Sequence, residues 1–262
     1  MKKRTVYLTG VFLLLGLFIF TACDSFYTNS WGKSREYDPG NIKLTVENLP
    51  SWKKAARYNP PLAQTLTAVI NETVRNMPDG PGKAIFQEAG VELAIKSAGL
   101  GTAILSNMNK FNLDNPDDIV ALFGSIRGDF YISGGSAAAS NLAEIVKPKG
   151  GFDKDDGDTP TFSSSYANIA KPADVGQAVI VLTLAVLEQT GESTAILDDP
   201  NFDIDAFSIG LKMDGNVIKV DSPPDPTPEA LALAAYLNLI NNGDPKFDSN
   251  PVTSGIKDLF SL

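Results

Sequence analysis

Three sets of side chains in this chain have the types and spacing to do chemistry. Glu88 and Glu92 sit one helical turn apart with Lys96 a turn further on. Two carboxylates in a shared cleft, with their proton affinities pushed apart, are what general acid and base catalysis requires. Asp153-Lys154-Asp155-Asp156-Gly157-Asp158 alternates carboxylates around a glycine bend, which suits calcium, a hard cation that takes several oxygens from a flexible loop. Asp199, Asn201, Asp203 and Asp205, spaced by two, follow the first four ligand places of a calcium loop more closely.

Each set also has a plainer reading. A glutamate followed by a lysine four residues on is the ordinary decoration of an exposed helix face. In the first acidic run Gly157 is fifth and Ser164 twelfth, where a calcium loop has glycine sixth and glutamate twelfth, so a solvated loop accounts for it. In the second set Ile204 stands in the glycine place and Gly210 in the glutamate place, and helix capping by Asp199 or Asp203 explains the same letters.

The residue types that are missing narrow the chemistry further. The chain has no histidine, which excludes a Ser-His-Asp or Cys-His catalytic set and any histidine-ligated metal. One cysteine, Cys23, cannot form a thiolate cage or an internal disulfide. Carboxylate chemistry, lysine chemistry or binding without chemistry survive, and no cofactor is implied.

Cys23 closes a distinctive opening segment. Lys2, Lys3 and Arg4 form a cationic head, and Val6 to Phe20 is an apolar run interrupted only by Thr9, Gly10 and Gly16. A charged head before an apolar stretch too short to span a bilayer comfortably reads as a secretory signal. Phe20-Thr21-Ala22-Cys23 then resembles the lipobox of bacterial lipoproteins, in the relaxed form found in spirochaetes, with phenylalanine where leucine is commoner. The resemblance implies cleavage between Ala22 and Cys23, a diacylglyceryl group on the Cys23 sulfur and an acylated new N-terminus. Acyl chains of that kind hold a protein to a membrane essentially permanently. The run Ser30-Trp31-Gly32-Lys33 ahead of a helical body is likewise similar to spirochaetal lipoproteins, and Asp24 resembles a signal for retention at the inner membrane.

On this reading residues 1–22 are a signal peptide, 23–48 a membrane-proximal tether and 49–262 a helical domain. Removing the three cations of the leader leaves 19 Lys and Arg against 31 Asp and Glu, a net charge near −12. Such a surface repels nucleic acid and anionic headgroups, so neither is an expected partner of the globular part.

The body must supply the elements that position any site, and its periodicity is mostly helical. Pro50 opens a short helix, and Pro60-Pro61 opens another in which Leu62, Leu66, Val69, Ile70, Val74 and Met77 form one apolar face. Lys83 to Lys110 is a long candidate with a stripe through Phe86, Gly90, Leu93 and Ser97, broken near Gly99 and Gly101. Asn115-Pro116 opens a helix that Gly128 should end, and Gly134-Gly135-Ser136 opens one that Pro148 stops. Lys149 to Thr161 is a candidate hinge. The helix from Lys171-Pro172 to about Gln189 is apolar on nearly every side and is expected to be the central core helix. The stretch 207–220 reads as a short β-hairpin turning at Asp214-Gly215 or as a helix ending at Asp214. Thr227-Pro228 opens a helix with Leu233, Leu237 and Ile240 facing inward, and the tail from Asp244 holds one short helix.

The fold expected is therefore mainly all-α, an irregular helical bundle or a helical-hairpin solenoid, with one possible hairpin. The four starts at Pro60, Pro116, Pro172 and Pro228 recur every 56 residues, the one hint of a solenoid. The function expected is that of a non-catalytic binding or scaffold domain, lipid-anchored in the cell envelope, with a protein partner there. The alternatives are a carboxylate-dependent hydrolase of envelope sugars, which needs only two acids, and a carrier of an apolar ligand.

Overall fold

The computed structural model describes residues 39–97, 116–133, 135–147, 157–198, 204–207, 209–221 and 224–262. The leader, Cys23, Asp153 to Asp156, Asp199, Asn201, Asp203 and the Gly99/Gly101 break lie outside the described residues. Pro39–Leu262 is one compact unit, so the folded body begins upstream of the Leu49 start read from the sequence. A 3-10 turn at Pro39–Asn41 packs on the second helix, and Ile42 behind it is buried.

The described chain is mostly helical. In order come α1 (Leu49–Ala56), α2 (Pro60–Asn76), α3 (Pro81–Ser97), α4 (Pro116–Ser133), α5 (Gly135–Val146), α6 (Ser164–Ile169) and α7 (Pro172–Thr190). After 3-10 turns at Thr194–Asp198 and Ile204–Phe207 follow β1 (Leu211–Asp214), β2 (Val217–Val220), α8 (Pro228–Ile240), α9 (Pro245–Asp248) and α10 (Pro251–Leu259). Proline sets most of the starts: α2, α3, α4, α7, α8, α9 and α10 each begin on one. Its fixed φ suits the first helical turn, where its missing N–H would have had no partner in any case. The preceding residue often completes the start, as where Asn59 accepts from the Leu62 N–H at 3.2 Å and Thr227 Oγ1 from the Ala230 N–H at 3.2 Å. At the far end of α7, Gly191 takes the left-handed conformation with φ +72°, which ends the helix.

α7 is the centre of the body. By length and composition this 19-residue helix could cross a membrane, but from Val175 to Leu187 every residue except Gln177 is buried. It packs against α3, α4, α5, α8 and α10, elements drawn from both sides of it in the sequence. A solenoid packs each unit only on its neighbours, so this is the irregular bundle. The four proline-led starts do open α2, α4, α7 and α8, but α2 is buried on one face whereas α7 and α8 are buried almost all round.

Several boundaries differ from the sequence reading for identifiable reasons. α3 begins at Pro81 rather than Lys83, and its inward stripe widens to include Lys83, Ala84, Gln87, Glu88 and Val91, because α2, α5, α6 and α7 surround it. α4 runs through Gly128 to Ser133; a glycine inside a helix costs about 1 kcal/mol, too little to end it without a left-handed cap. The short helix α6 and the second tail helix are additions to the sequence reading, and both begin directly after capping side chains, Ser163 and Asn250. The 207–220 stretch is the hairpin. Its register pairs Asp214 with Val217, so the two-residue loop is Gly215-Asn216, one position later than read, with Gly215 at φ +63°.

The hairpin is bound to the bundle through α8. Asn238 on that helix accepts from the Ile218 N–H at 2.8 Å and donates to the carbonyls of Ile218 at 2.9 Å and Pro160 at 3.0 Å. The Gly157 N–H donates to the Val220 carbonyl at 2.9 Å, and the Val220 N–H to the Asp158 carbonyl at 2.7 Å. The end of the proposed hinge at 157–160 is thus fastened to β2 and α8.

Candidate functional site

The richest polar cluster lies where α3, α6, α7 and α8 meet, and Glu88 is its centre. On α3, Glu88 falls on the inward side with Ala84 and Val91, and the residue is only 8% exposed. Lys171, the residue before α7, brings its Nζ to 2.8 Å from Glu88 Oε1, 3.5 Å from Asp174 Oδ2 and 4.0 Å from Glu92 Oε2. Asp174 belongs in the first turn of α7, where the positive end of the helix dipole favours an acid. Glu92, one turn along α3, is bracketed by Lys53 from α1 and Lys96 from its own helix.

Behind these charges sits an aromatic wall. The Phe162 ring lies 4.8 Å from both the Tyr166 ring of α6 and the Tyr236 ring of α8. Both tyrosines are fully buried, and their hydroxyls adjoin without a well-aligned hydrogen bond among the described residues. Glu88 Oε2 is also buried without one.

The electrostatics split the two α3 carboxylates. Burial pushes the Glu88 carboxyl above its ordinary value against the pull of Lys171, and Asp174 adds to the rise. Burial acts on Glu92 in the same sense, but Lys53 and Lys96 outweigh it and hold that carboxyl below its ordinary value. Burial would lower the Lys171 ammonium, yet Glu88, Asp174 and Glu92 around it keep its proton more firmly held than usual. Desolvation raises both tyrosine hydroxyls, helped by the nearby Glu88 and Asp174 charges.

Of the residues the sequence singles out, Glu88, Glu92 and Lys96 do come together with others, but not as an exposed face. The Glu92–Lys96 pair forms at the expected helical spacing; Glu88 turns inward instead and finds Lys171. Lys171, Asp174, Tyr166 and Tyr236 were missed. A legible signal existed for one of them: Lys171 occupies a helix-capping position with a residue type that cannot cap. Asp205, of the second calcium candidate, is committed elsewhere: its Oδ1 accepts from the Met213 N–H of β1 at 2.6 Å. Among the described residues no group of three or more His, Cys, Asp or Glu side chains is placed to hold a metal.

Neither a family model, nor a curated protein, nor a solved structure matches this chain. Three carboxylates sharing one lysine beside two tyrosines have the composition of an acid–base site, but general catalysis needs a substrate within hydrogen-bond reach. Here helices enclose the group, with only the Lys171 side chain more than half exposed. Physically, the cluster ties the starts of α7 and α6 to the middle of α3.

The small residues between helices serve close approach. A Cβ on Gly90 would lie 2.9 Å from Ile70 Cγ2 and 3.0 Å from Ile145 Cδ1, and one on Gly176 would lie 2.7 Å from Val252 Cγ1. α2, α3 and α5 meet at the first glycine, and α7 and α10 at the second.

Proposed function

We propose that this chain is a lipid-anchored protein of a bacterial cell envelope, whose helical body is a non-catalytic binding or scaffold domain. The observation that carries the reading is Cys23. It is the only thiol in the chain, it follows Ala22 directly, and it stands at the end of an apolar run headed by Lys2, Lys3 and Arg4. Acylation there leaves the compact unit from Pro39 onward at the end of a short tether.

Features of the body support a binding or scaffold role over the alternatives. The acid–lysine cluster is enclosed rather than set across a cleft, which weighs against a glycoside hydrolase, whose two carboxylates must flank a sugar. Neighbouring side chains fill the space beside Gly90 and Gly176, which weighs against a cavity for an apolar ligand. The partner in this reading is a protein of the envelope.

The test is on the sulfur. Mass measurement of the chain purified from membranes should find the N-terminal peptide beginning at Cys23 and carrying acyl groups. Cys23→Ser should move the chain from the membrane fraction to the soluble one. An unmodified thiol, or unchanged membrane residence of Cys23→Ser, overturns the reading.

A further inference from the structure

Taking the lipid anchor proposed above as given, we propose that the exposed face of α1, with the loop before it, is a membrane-contact surface that docks on anionic lipid headgroups. Along the sequence, charge is divided sharply. Between Pro39 and Tyr58 the chain carries Lys43, Lys53, Lys54 and Arg57 against the single carboxylate of Glu47; after Tyr58 it carries 13 Lys and Arg against 27 Asp and Glu. The basic stretch is the part of the body next to the anchor.

The structure decides which of these cations face outward. Lys53 is turned to Glu92. Lys43, Lys54 and Arg57 are exposed, and among the described residues none of them has an ion pair. Positions 51, 54, 55 and 58 recur at threes and fours, so Ser51, Lys54, Ala55 and Tyr58 share one face of α1 and its extension, and all four are exposed. Among the described residues Tyr58 is the most open of the exposed large hydrophobic side chains at 73%, and the Arg57 guanidinium lies 5.3 Å from its ring centre. A cationic face carrying an open tyrosine is the composition that settles at a headgroup interface. The preceding loop is fixed to the same place, because Asn48 Oδ1 accepts from the Thr45 N–H at 2.8 Å and Asn48 Nδ2 donates to the Lys43 carbonyl at 2.9 Å.

Reach and screening make the contact effective despite the acidic body. Residues 24–38 can extend no further than about 50 Å. An anchor that close keeps the face at millimolar effective concentration near the bilayer, so a weak patch suffices. At physiological ionic strength the screening length is about 8 Å, so only charges close to the bilayer act on it strongly, and the α1 cations act at contact.

The experiment supplies the anchor artificially, so its result does not depend on whether Cys23 is acylated. The chain from residue 24, which contains the whole compact unit, is held to nickel-chelating vesicles by an N-terminal oligohistidine tag; the chain itself has no histidine to compete. A fluorophore on Ser51→Cys, with Ser249→Cys as the control position, reports quenching by brominated lipids. The expected result is quenching at position 51 on vesicles containing phosphatidylglycerol, little on pure phosphatidylcholine, and loss of the quenching in about 0.5 M salt, which shortens the screening length about twofold from its physiological value. The triple variant Lys43→Glu, Lys54→Glu, Arg57→Glu should reduce contact by on the order of a hundredfold, at roughly fivefold per cation. Equal quenching on the two lipid compositions, or quenching unaffected by salt, overturns the proposal without relying on any charge variant folding. Failure of the lipid anchor itself would show in the mass measurement and in the membrane residence of Cys23→Ser, neither of which enters this experiment.

Discussion

Glu88 and Glu92 sit one turn apart on α3, yet their surroundings drive their carboxyls in opposite directions. For Glu88, raised by burial, the folded state favours the protonated form. Its contribution to stability is present below the ordinary value of 4.5 and is lost as pH rises through the folded value. For Glu92, held down by Lys53 and Lys96 against the opposing effect of burial, the contribution is present above 4.5 and is lost as pH falls through the folded value. Urea unfolding between about pH 2.5 and pH 7, a range of about two units on either side of the ordinary carboxyl value, should separate them. Glu88→Gln should change stability at neutral pH by no more than about 1 kcal/mol and fall behind the natural chain as pH drops. Glu92→Gln should cost about 1–2 kcal/mol at neutral pH, with the deficit shrinking as pH drops. Matching pH profiles for the two variants would contradict the assignment. Helical spacing made the Glu92–Lys96 pair legible in the sequence, since both residues lie on one helix. It could not reveal Lys171, Asp174 or Tyr166, because nothing local to α3 says which helix start will be pressed against it.

At the scale of elements, the hairpin depends on one side chain of α8. Asn238 meets both backbone groups of Ile218 and the carbonyl of Pro160, so it stands in for a strand that β2 lacks on that side. Asn238→Ala removes three hydrogen bonds at once and should cost about 2–3 kcal/mol. Hydrogen exchange at the Ile218 amide should accelerate well beyond the effect on amides of α7; uniform acceleration would mean that the residue does not act locally. Gly210 constrains the same region, since at φ +76° a Cβ there would lie 1.8 Å from the Pro224 carbonyl oxygen. Helix starts were the most legible elements, because a proline preceded by a capping residue is a local signal. Buried faces were less so: α8 reads as one stripe through Leu233, Leu237 and Ile240, but its alanines are covered as well, since α5, α7 and the hairpin all pack on it. An alanine is apolar enough for the core and small enough for the surface, so the letter alone does not decide.

The whole molecule is closed by its last helices. α10 packs on α4 and α7, Val252 fills the space beside Gly176, and Ile256 and Phe260 are fully buried. A chain ending at Asn250 would strip those contacts from the central helix, and each buried aliphatic or aromatic side chain is worth about 1.5–3 kcal/mol. That loss is comparable to the whole stability of a domain, so such a chain should show no cooperative thermal transition by circular dichroism. A sharp transition would show that the core closes without α10. Contacts between the middle of the chain and its final residues are also slow to form, because distant segments must meet before they are rewarded. In the export proposed above, a polypeptide threaded through a translocation channel from its leading end would therefore stay pliable until residues 251–260 had emerged, and would set into its final shape only on the far side.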